Sequence, residues 1–125
     1  MRVWLYARLS NDDDREMNSL LNQQEICQAF AEQHGYIIVG QSFDDNISGM
    51  SFDRRGLDEL TAAVDADMID AVIVKDLSRL GRHRTQTALF IDYLRERQVR
   101  VISATESIDT FRDEDDLIIG VRGLM

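Results

Sequence analysis

Proline is absent from these 125 residues, and cysteine occurs once. With no proline and no low-complexity stretch there is no internal linker, so the chain reads as one domain over 1–125, large enough to bury a real core. A single thiol, Cys27, cannot close an internal disulfide, which fits a reducing cytoplasm. One cysteine and two histidines at these positions cannot build a metal cluster, and only carboxylate sites stay open to a cation. No apolar run approaches the length that spans a bilayer, and the start lacks a charged segment leading into an apolar one, so neither a membrane span nor a secretion signal is read. Positive charge is scarce as well: 14 Lys and Arg face 23 Asp and Glu, for a net charge of -9. That balance argues against non-specific binding of nucleic acid by the domain as a whole. Two catalytic signatures are also missing, the G-x-S-x-G elbow and the phosphate loop G-x-x-x-x-G-K-[ST], so neither a hydrolase elbow nor nucleotide hydrolysis has support.

What is present is an alternation of strand and helix patterns, the signature of βαβ units and a mainly parallel sheet. The expected architecture is a three-layer α/β/α domain. The first strand, Arg2 to Ser10, puts Val3, Leu5, Ala7 and Leu9 on one face and Tyr6, Arg8 and Ser10 on the other. A polar loop, Asn11 to Asn18, leads to a helix from about Ser19 to Gly35, with Leu20, Gln23, Cys27 and Phe30 on one stripe. Gln23 interrupts that stripe, either as a solvent-facing amide or as a functional one. A second strand spans Tyr36 to Phe43, followed by a long polar loop, Asp44 to Ser51, of the kind that often carries function. The spacing then predicts a helix from Arg55 to Ala66 with Leu57, Leu60, Thr61 and Val64 inward. Ala71 to Val74 is a short run of the kind found in a central buried strand. A third helix, Thr85 to Arg97, is expected to bury Leu89, Phe90, Tyr93 and Leu94; a fourth strand runs from Val99 to Ala104, and Thr105 to Thr110 reads as a loop. A last helix carries Leu117, Ile118, Val121 and Leu124, and its apolar pattern is still running at Met125, which reads as a chain cut from a longer protein.

Three segments follow strand ends: Arg8 to Ser10, Asp45 to Arg54, and Ser78 to Arg82. Strand ends on one edge of a parallel sheet converge, and that edge is where ligands bind in open α/β sheets. Convergence would gather Arg8, Arg54, Arg79 and Arg82 around Ser10. Four guanidinium groups around one hydroxyl suit phosphoryl transfer, which depends on positioning and on neutralising charge on the transferring oxygens. Other nucleophiles are weaker candidates. Cys27 sits on an apolar stripe, His34 precedes a capping glycine, and His83 lies among arginines that oppose its protonation. The acidic run Asp12 to Asp14 reads as a solvated loop.

Tyr6-Ala7-Arg8-Leu9-Ser10 resembles the signature that opens the catalytic domain of serine site-specific DNA recombinases, the resolvase–invertase family. Three further blocks agree in order and spacing: Ser19-Leu20-Leu21-Asn22-Gln23; Asp45-Asn46-Ile47-Ser48-Gly49 leading to Asp53-Arg54-Arg55-Gly56-Leu57; and Leu77-Ser78-Arg79-Leu80-Gly81-Arg82. The resemblance implies a resolvase-like fold and a serine nucleophile, Ser10, that attacks a DNA phosphodiester to give a 5′-phosphoserine link and a free 3′-hydroxyl. It implies that Arg8, Arg79 and Arg82 stabilise the scissile phosphate, that Arg54 helps to activate the site, and that Tyr6, Gln23, Asp45 and Ser48 support it. It further implies DNA as partner, homodimers and tetramers of the full-length protein, and no need for ATP, a divalent metal or another cofactor.

One departure stands out. Where small resolvases commonly have an aspartate just before the Arg79 position, this chain has Ser78, so the general acid and base are unassigned and Asp45 and Asp76 are the candidates. The serine, with Lys75-Asp76 before it, looks more like the large serine recombinases of mobile elements, whose DNA-binding region follows this domain. The last helix would then be the start of a subunit-interface helix, and the chain alone is expected to be a monomer or weak dimer, inactive on DNA. The competing reading is a flavodoxin-like receiver or assembly domain without enzymatic activity. It is weakened because Lys75, not an acceptor aspartate, follows the central strand.

Overall fold

A computed structural model describes residues 1–10, 13, 17–45, 54–81 and 84–111. The elements are β1 (Arg2–Leu9), α1 (Leu20–Gln33), β2 (Ile37–Asp45), α2 (Arg55–Asp65), β3 (Ala71–Val74), a 3-10 turn (Leu77–Leu80), α3 (Arg84–Glu96), β4 (Arg100–Ser103) and β5 (Ile108–Asp109). They form one five-stranded sheet in the order β2-β1-β3-β4-β5. The first four strands run parallel and β5 pairs antiparallel with β4. The α/β architecture and the mainly parallel sheet expected from the sequence are therefore found. Among the described residues no helix is long and apolar enough to cross a membrane.

The inner strands β1, β3 and β4 are buried on both faces, which is why they are so apolar, while the edge strand β2 is largely exposed. On one face Val3, Leu5, Ala71, Ile73 and Ile102 pack under α1 through Cys27 and Ala31. On the other, Tyr6, Val72, Val74 and Val101 pack under α2 and α3 through Leu57, Leu60, Val64, Ile91 and Leu94. The alternation of β1 thus divides its side chains between two cores, with Tyr6 at 2% exposure inside the second. Ser19 caps α1, its side chain accepting from the Asn22 amide, and Gly35 ends it at φ 71°, a conformation glycine adopts without strain.

Four expectations need correction. Leu89 is 63% exposed, and Ile91 takes the inward position because it lies one turn from the buried Leu94. Thr61 is only half-buried, and Ala63 completes the inner face of α2. The segment read as a loop after β4 contains β5, whose two residues are too few for a pattern to reveal. β2 also runs two residues beyond Phe43, because its pairing with β1 continues to Leu9↔Asp45.

Two glycines let α2 and β1 approach β2 closely. Gly40 lies under the Trp4 ring, where a Cβ would collide with the indole, and Gly56 in the first turn of α2 lies against the backbone of Phe43. Ser42 ties the two together, accepting from Trp4 Nε1 at 2.9 Å and donating to the Gly56 carbonyl at 2.7 Å. Alanine in a helix gains about 1 kcal/mol over glycine, but overpacking against rigid backbone costs about 1–3 kcal/mol. Gly56→Ala is therefore expected to lower the melting temperature by several degrees; an unchanged or higher value would show that the contact yields.

Candidate active site

The site grows from a gap in the sheet. β1 pairs with β2 along its whole length but with β3 only from Val3 to Leu5, so beyond that point the backbone of β1 has no strand on its β3 side. Buried amide and carbonyl groups require partners, and here side chains supply them. Gln23, fully buried on α1, accepts from the Arg8 amide through Oε1 at 3.1 Å and donates to the Arg8 carbonyl through Nε2 at 2.8 Å. It thereby stands in for one residue of a neighbouring strand. The same nitrogen donates to the Asn18 carbonyl at 2.8 Å and fixes the start of the helix. Gln23 is not a solvent-facing amide.

Arg79 closes the gap from the other side. It lies in the 3-10 turn after β3, is 4% exposed, and donates through Nη1 to the Arg8 carbonyl and to Asp13 Oδ2, both at 2.8 Å. Asp76 Oδ2 receives its Nε and Nη2 at 3.3 Å. Asp76 also begins the turn, its Oδ1 accepting from the Ser78 amide at 3.1 Å and from the Ser78 hydroxyl. Lys75 secures the connection between β1 and α1, its Nζ donating to the Met17 carbonyl and to Asn18 and Asn22.

Ser10 is 6% exposed at the end of β1. Its amide donates to Asp13 Oδ2 at 2.8 Å and its hydroxyl to the same oxygen at 3.2 Å, while its carbonyl accepts from the Asp13 amide. One carboxylate oxygen therefore receives two donors from Ser10 and a third from Arg79. Burial would raise the pKa of Asp13, but the hydrogen bonds from Arg79 and Ser10 outweigh it and hold the carboxyl below its ordinary range.

Arg8 is buried beside this cluster. Its Nη2 donates to the Ser78 carbonyl at 2.6 Å, and its Nε is buried without a partner. Burial, and then the positive charges of Arg79 and Arg54, push its pKa down, with Tyr6 and Asp13 opposing. Arg54, immediately before α2, is thus close enough to act on Arg8 and Tyr6. Tyr6 donates to Asp44 Oδ2 at 2.6 Å, and burial together with that bond raises its pKa far above the ordinary phenol value. Asp44 also accepts from the Gly56 amide at 2.7 Å and the Leu57 amide at 3.0 Å, so one buried carboxylate anchors the start of α2.

The structure therefore brings together Ser10, Arg79, Arg8, Gln23 and Tyr6, with Arg54 in electrostatic range. Arg82, Ser48 and His83, and the last helix with Leu117, Ile118, Val121 and Leu124, lie outside the described residues. Asp45 is exposed at the end of β2, and the carboxylate that reaches Tyr6 belongs to Asp44. Asp13 and Asp44 are the site residues that sequence reasoning missed. Cys27 is buried, and burial first of all pushes its thiol up to about 12, so it carries no nucleophile at neutral pH.

Two stability measurements check this arrangement. Asp44→Ala strands three buried donors and is expected to cost at least about 3 kcal/mol in urea unfolding, more than Tyr6→Phe, which removes one of them. The second concerns pH. Asp13 has a folded pKa below its unfolded value, so its contribution is complete above the unfolded carboxylate pKa of about 4 and is lost as pH falls through the folded value. The stability difference between the native chain and Asp13→Asn should accordingly shrink on acidification; a pH-independent difference would contradict the ion pair.

Comparison with known proteins supplies the family and agrees with the fold. A family model described as the resolvase N-terminal domain matches residues 3–125. The transposon Tn3 resolvase of Escherichia coli is 30% identical over 122 residues, covering 97% of this chain and 60% of the resolvase. The DNA-invertase of Escherichia phage P1 is 34% identical over 105 residues, covering 84% of this chain and 50% of the invertase. The crystal structure of a resolvase family site-specific recombinase from Streptococcus pneumoniae superposes with a TM-score of 0.79 at 28% identity, over 97% of this chain and 82% of that one. The chain thus spans between half and two thirds of the length of these curated relatives. A match running from the third residue to the last, with the fold to go with it, places this chain in the resolvase–invertase family of serine recombinases.

Proposed function

We propose that this chain is the catalytic domain of a longer site-specific DNA recombinase and that Ser10 is its nucleophile. The observation that carries the reading is the convergence of the Ser10 hydroxyl, the Ser10 amide and the Arg79 guanidinium on one anionic oxygen. The Arg79 guanidinium that meets a carboxylate oxygen beside Ser10 suits a phosphoryl oxygen equally well, since both are anions that accept from fixed donors. In the reaction the Ser10 oxygen bonds to phosphorus and the bond to the 3′-oxygen breaks, leaving a 5′-phosphoserine and a free 3′-hydroxyl. One phosphoester replaces another, so the bond energy is retained and the reverse attack rejoins strands without ATP.

Arg79 and Arg8 would neutralise charge on the phosphoryl oxygens, with Arg54 and Arg82 completing the cluster. The buried, unpartnered Nε of Arg8 is a donor that such an oxygen could satisfy. Tyr6 and Gln23 position: one through Asp44 and α2, the other through the backbone of Arg8. By the family resemblance Asp45 and Ser48 would support the site. The names of the relatives, a transposon resolvase and a phage invertase, match recombination on mobile elements. With a net charge of -9, firm grip on DNA would come from the part of the protein beyond this domain, and strand exchange from dimers and tetramers in the cytoplasm.

The test uses the full-length recombinase and a duplex carrying the site it cuts. Stopped with denaturant, the native protein should yield a covalent protein–DNA adduct on the 5′ side of the break. Ser10→Ala should abolish that adduct while leaving duplex binding within a few-fold. An adduct that survives the substitution would move the nucleophile elsewhere.

A further inference from the structure

Attack by Ser10 requires an acceptor for its proton, and resting on the recombinase reading, the described residues supply one candidate in direct contact. Asp76 is engaged with Ser78 and Arg79. Asp44 is engaged with Tyr6 and the start of α2. His34 lies at the far end of α1, exposed and stacked on Phe30. Asp13 alone among the described carboxylates receives the Ser10 hydroxyl, at 3.2 Å. Its backbone amide bonds the Ser10 carbonyl, which also holds the carboxylate close to the serine.

We propose that Asp13 is the general base for Ser10 and that Arg79 controls when it acts. In the free domain Arg79 is paired with Asp13 at 2.8 Å. A DNA phosphate offers that guanidinium a stronger partner, two non-bridging oxygens sharing a negative charge. When Arg79 turns to the phosphate, Asp13 loses its ion pair and becomes the more basic partner of the hydroxyl. The proton of Ser10 passes to Asp13 Oδ2, the freed electron pair of Oγ forms the bond to phosphorus, and the bond to the 3′-oxygen breaks with its electron pair. The leaving oxygen takes a proton from water. Religation runs the same steps backwards, with Asp13 returning its proton to Ser10. The contact that silences the nucleophile in the resting domain is thereby the one the substrate converts into a catalyst.

The burial and charges around Asp13 fit this role. Arg79 faces it from the turn after β3 and Arg8 from β1, and Asp76 flanks Arg79 on its other side. Its sequence neighbours Asp12, Asp14 and Arg15 lie outside the described residues. The pairing holds the carboxyl below its ordinary range, so it is a weak base until the pair is broken.

The experiment measures single-turnover adduct formation by the full-length recombinase on its cleavable duplex from acidic to neutral pH, for the native protein, Asp13→Asn and Asp13→Glu. A second duplex carries sulfur in place of the bridging 3′-oxygen, a leaving group that needs no proton. Asp13→Asn is expected to slow adduct formation about 100-fold or more, the usual contribution of a positioned base, with duplex binding retained or tightened. Asp13→Glu is expected to recover part of the rate. The fall in rate at acid pH should persist in the native protein on the sulfur duplex and vanish in Asp13→Asn. A native rate and acid limb in Asp13→Asn would overturn the proposal, and a faster rate would show that Asp13 only competes with phosphate. Full rescue of the variant by sulfur would also overturn it, placing Asp13 at the leaving group. Should Asp13→Asn fail to fold, the native profile decides: loss of the acid limb on the sulfur duplex overturns the assignment. Absence of any Ser10-dependent adduct in the native protein would instead count against the recombinase reading itself.

Discussion

A guanidinium withdrawn from water has to be surrounded by acceptors, and in this domain that demand organises the end of the sheet. Arg79 finds its acceptors on β1, in the turn after Ser10 and at the head of its own 3-10 turn. β1 is held by its ladder with β2, but Asp13 and the 3-10 turn are not held there by any strand ladder. The turn after β3 is tied to β1 by Arg79 on the Arg8 carbonyl and by the Arg8 guanidinium on the Ser78 carbonyl, and to Glu106 through the Leu77 amide, while the described bonds of Asp13 go to Ser10 and Arg79. Breaking one member of such a buried cluster leaves the rest charged and unpaired, so the cluster is held as a unit.

The gap between β1 and β3 explains why this cluster exists. Had the two strands stayed paired to their ends, ladder bonds would have satisfied Arg8 and left no opening for side chains from α1 and the 3-10 turn. Early separation trades regular pairing for a niche bounded by Gln23 and Arg79. Ligands of open α/β sheets lie outside the carboxyl ends of strands for the same reason: strands diverge there and connections, not ladders, fill the space.

Much of this was legible in the residues themselves. The alternation in β1, the apolar run Ala71 to Val74 and the caps at Ser19 and Gly35 lead directly to the sheet and to α1. Gln23 stood out as one polar residue on an apolar stripe, although only the sheet gap explains what its amide does. Asp13 was hidden because three consecutive acids look like a solvated loop; the readable signal was its position three residues after Ser10, a spacing that suits a side chain folding back onto the chain. Asp44 was hidden by a strand boundary placed too early. Continued by period two from the buried Ser42, the strand puts Asp44 inward and Asp45 outward. In α3 the apolar positions run together from Ala88 to Ile91, so periodicity could not choose between Leu89 and Ile91 until packing against Leu94 did. Ion pairs and hydrogen bonds between distant segments have no period, which is why the cores were easier to read than the charges.

The solitary thiol has a practical side. Cys27 is sealed between α1 and the sheet, and its proton is held so firmly that alkylating reagents find almost no thiolate in the folded chain. A cysteine placed anywhere on the surface would therefore be the sole labelling handle, with no need to remove the native one and disturb the packing around it. Fluorophores or spin labels could be installed at single chosen points, making this fold a ready frame for watching its segments move.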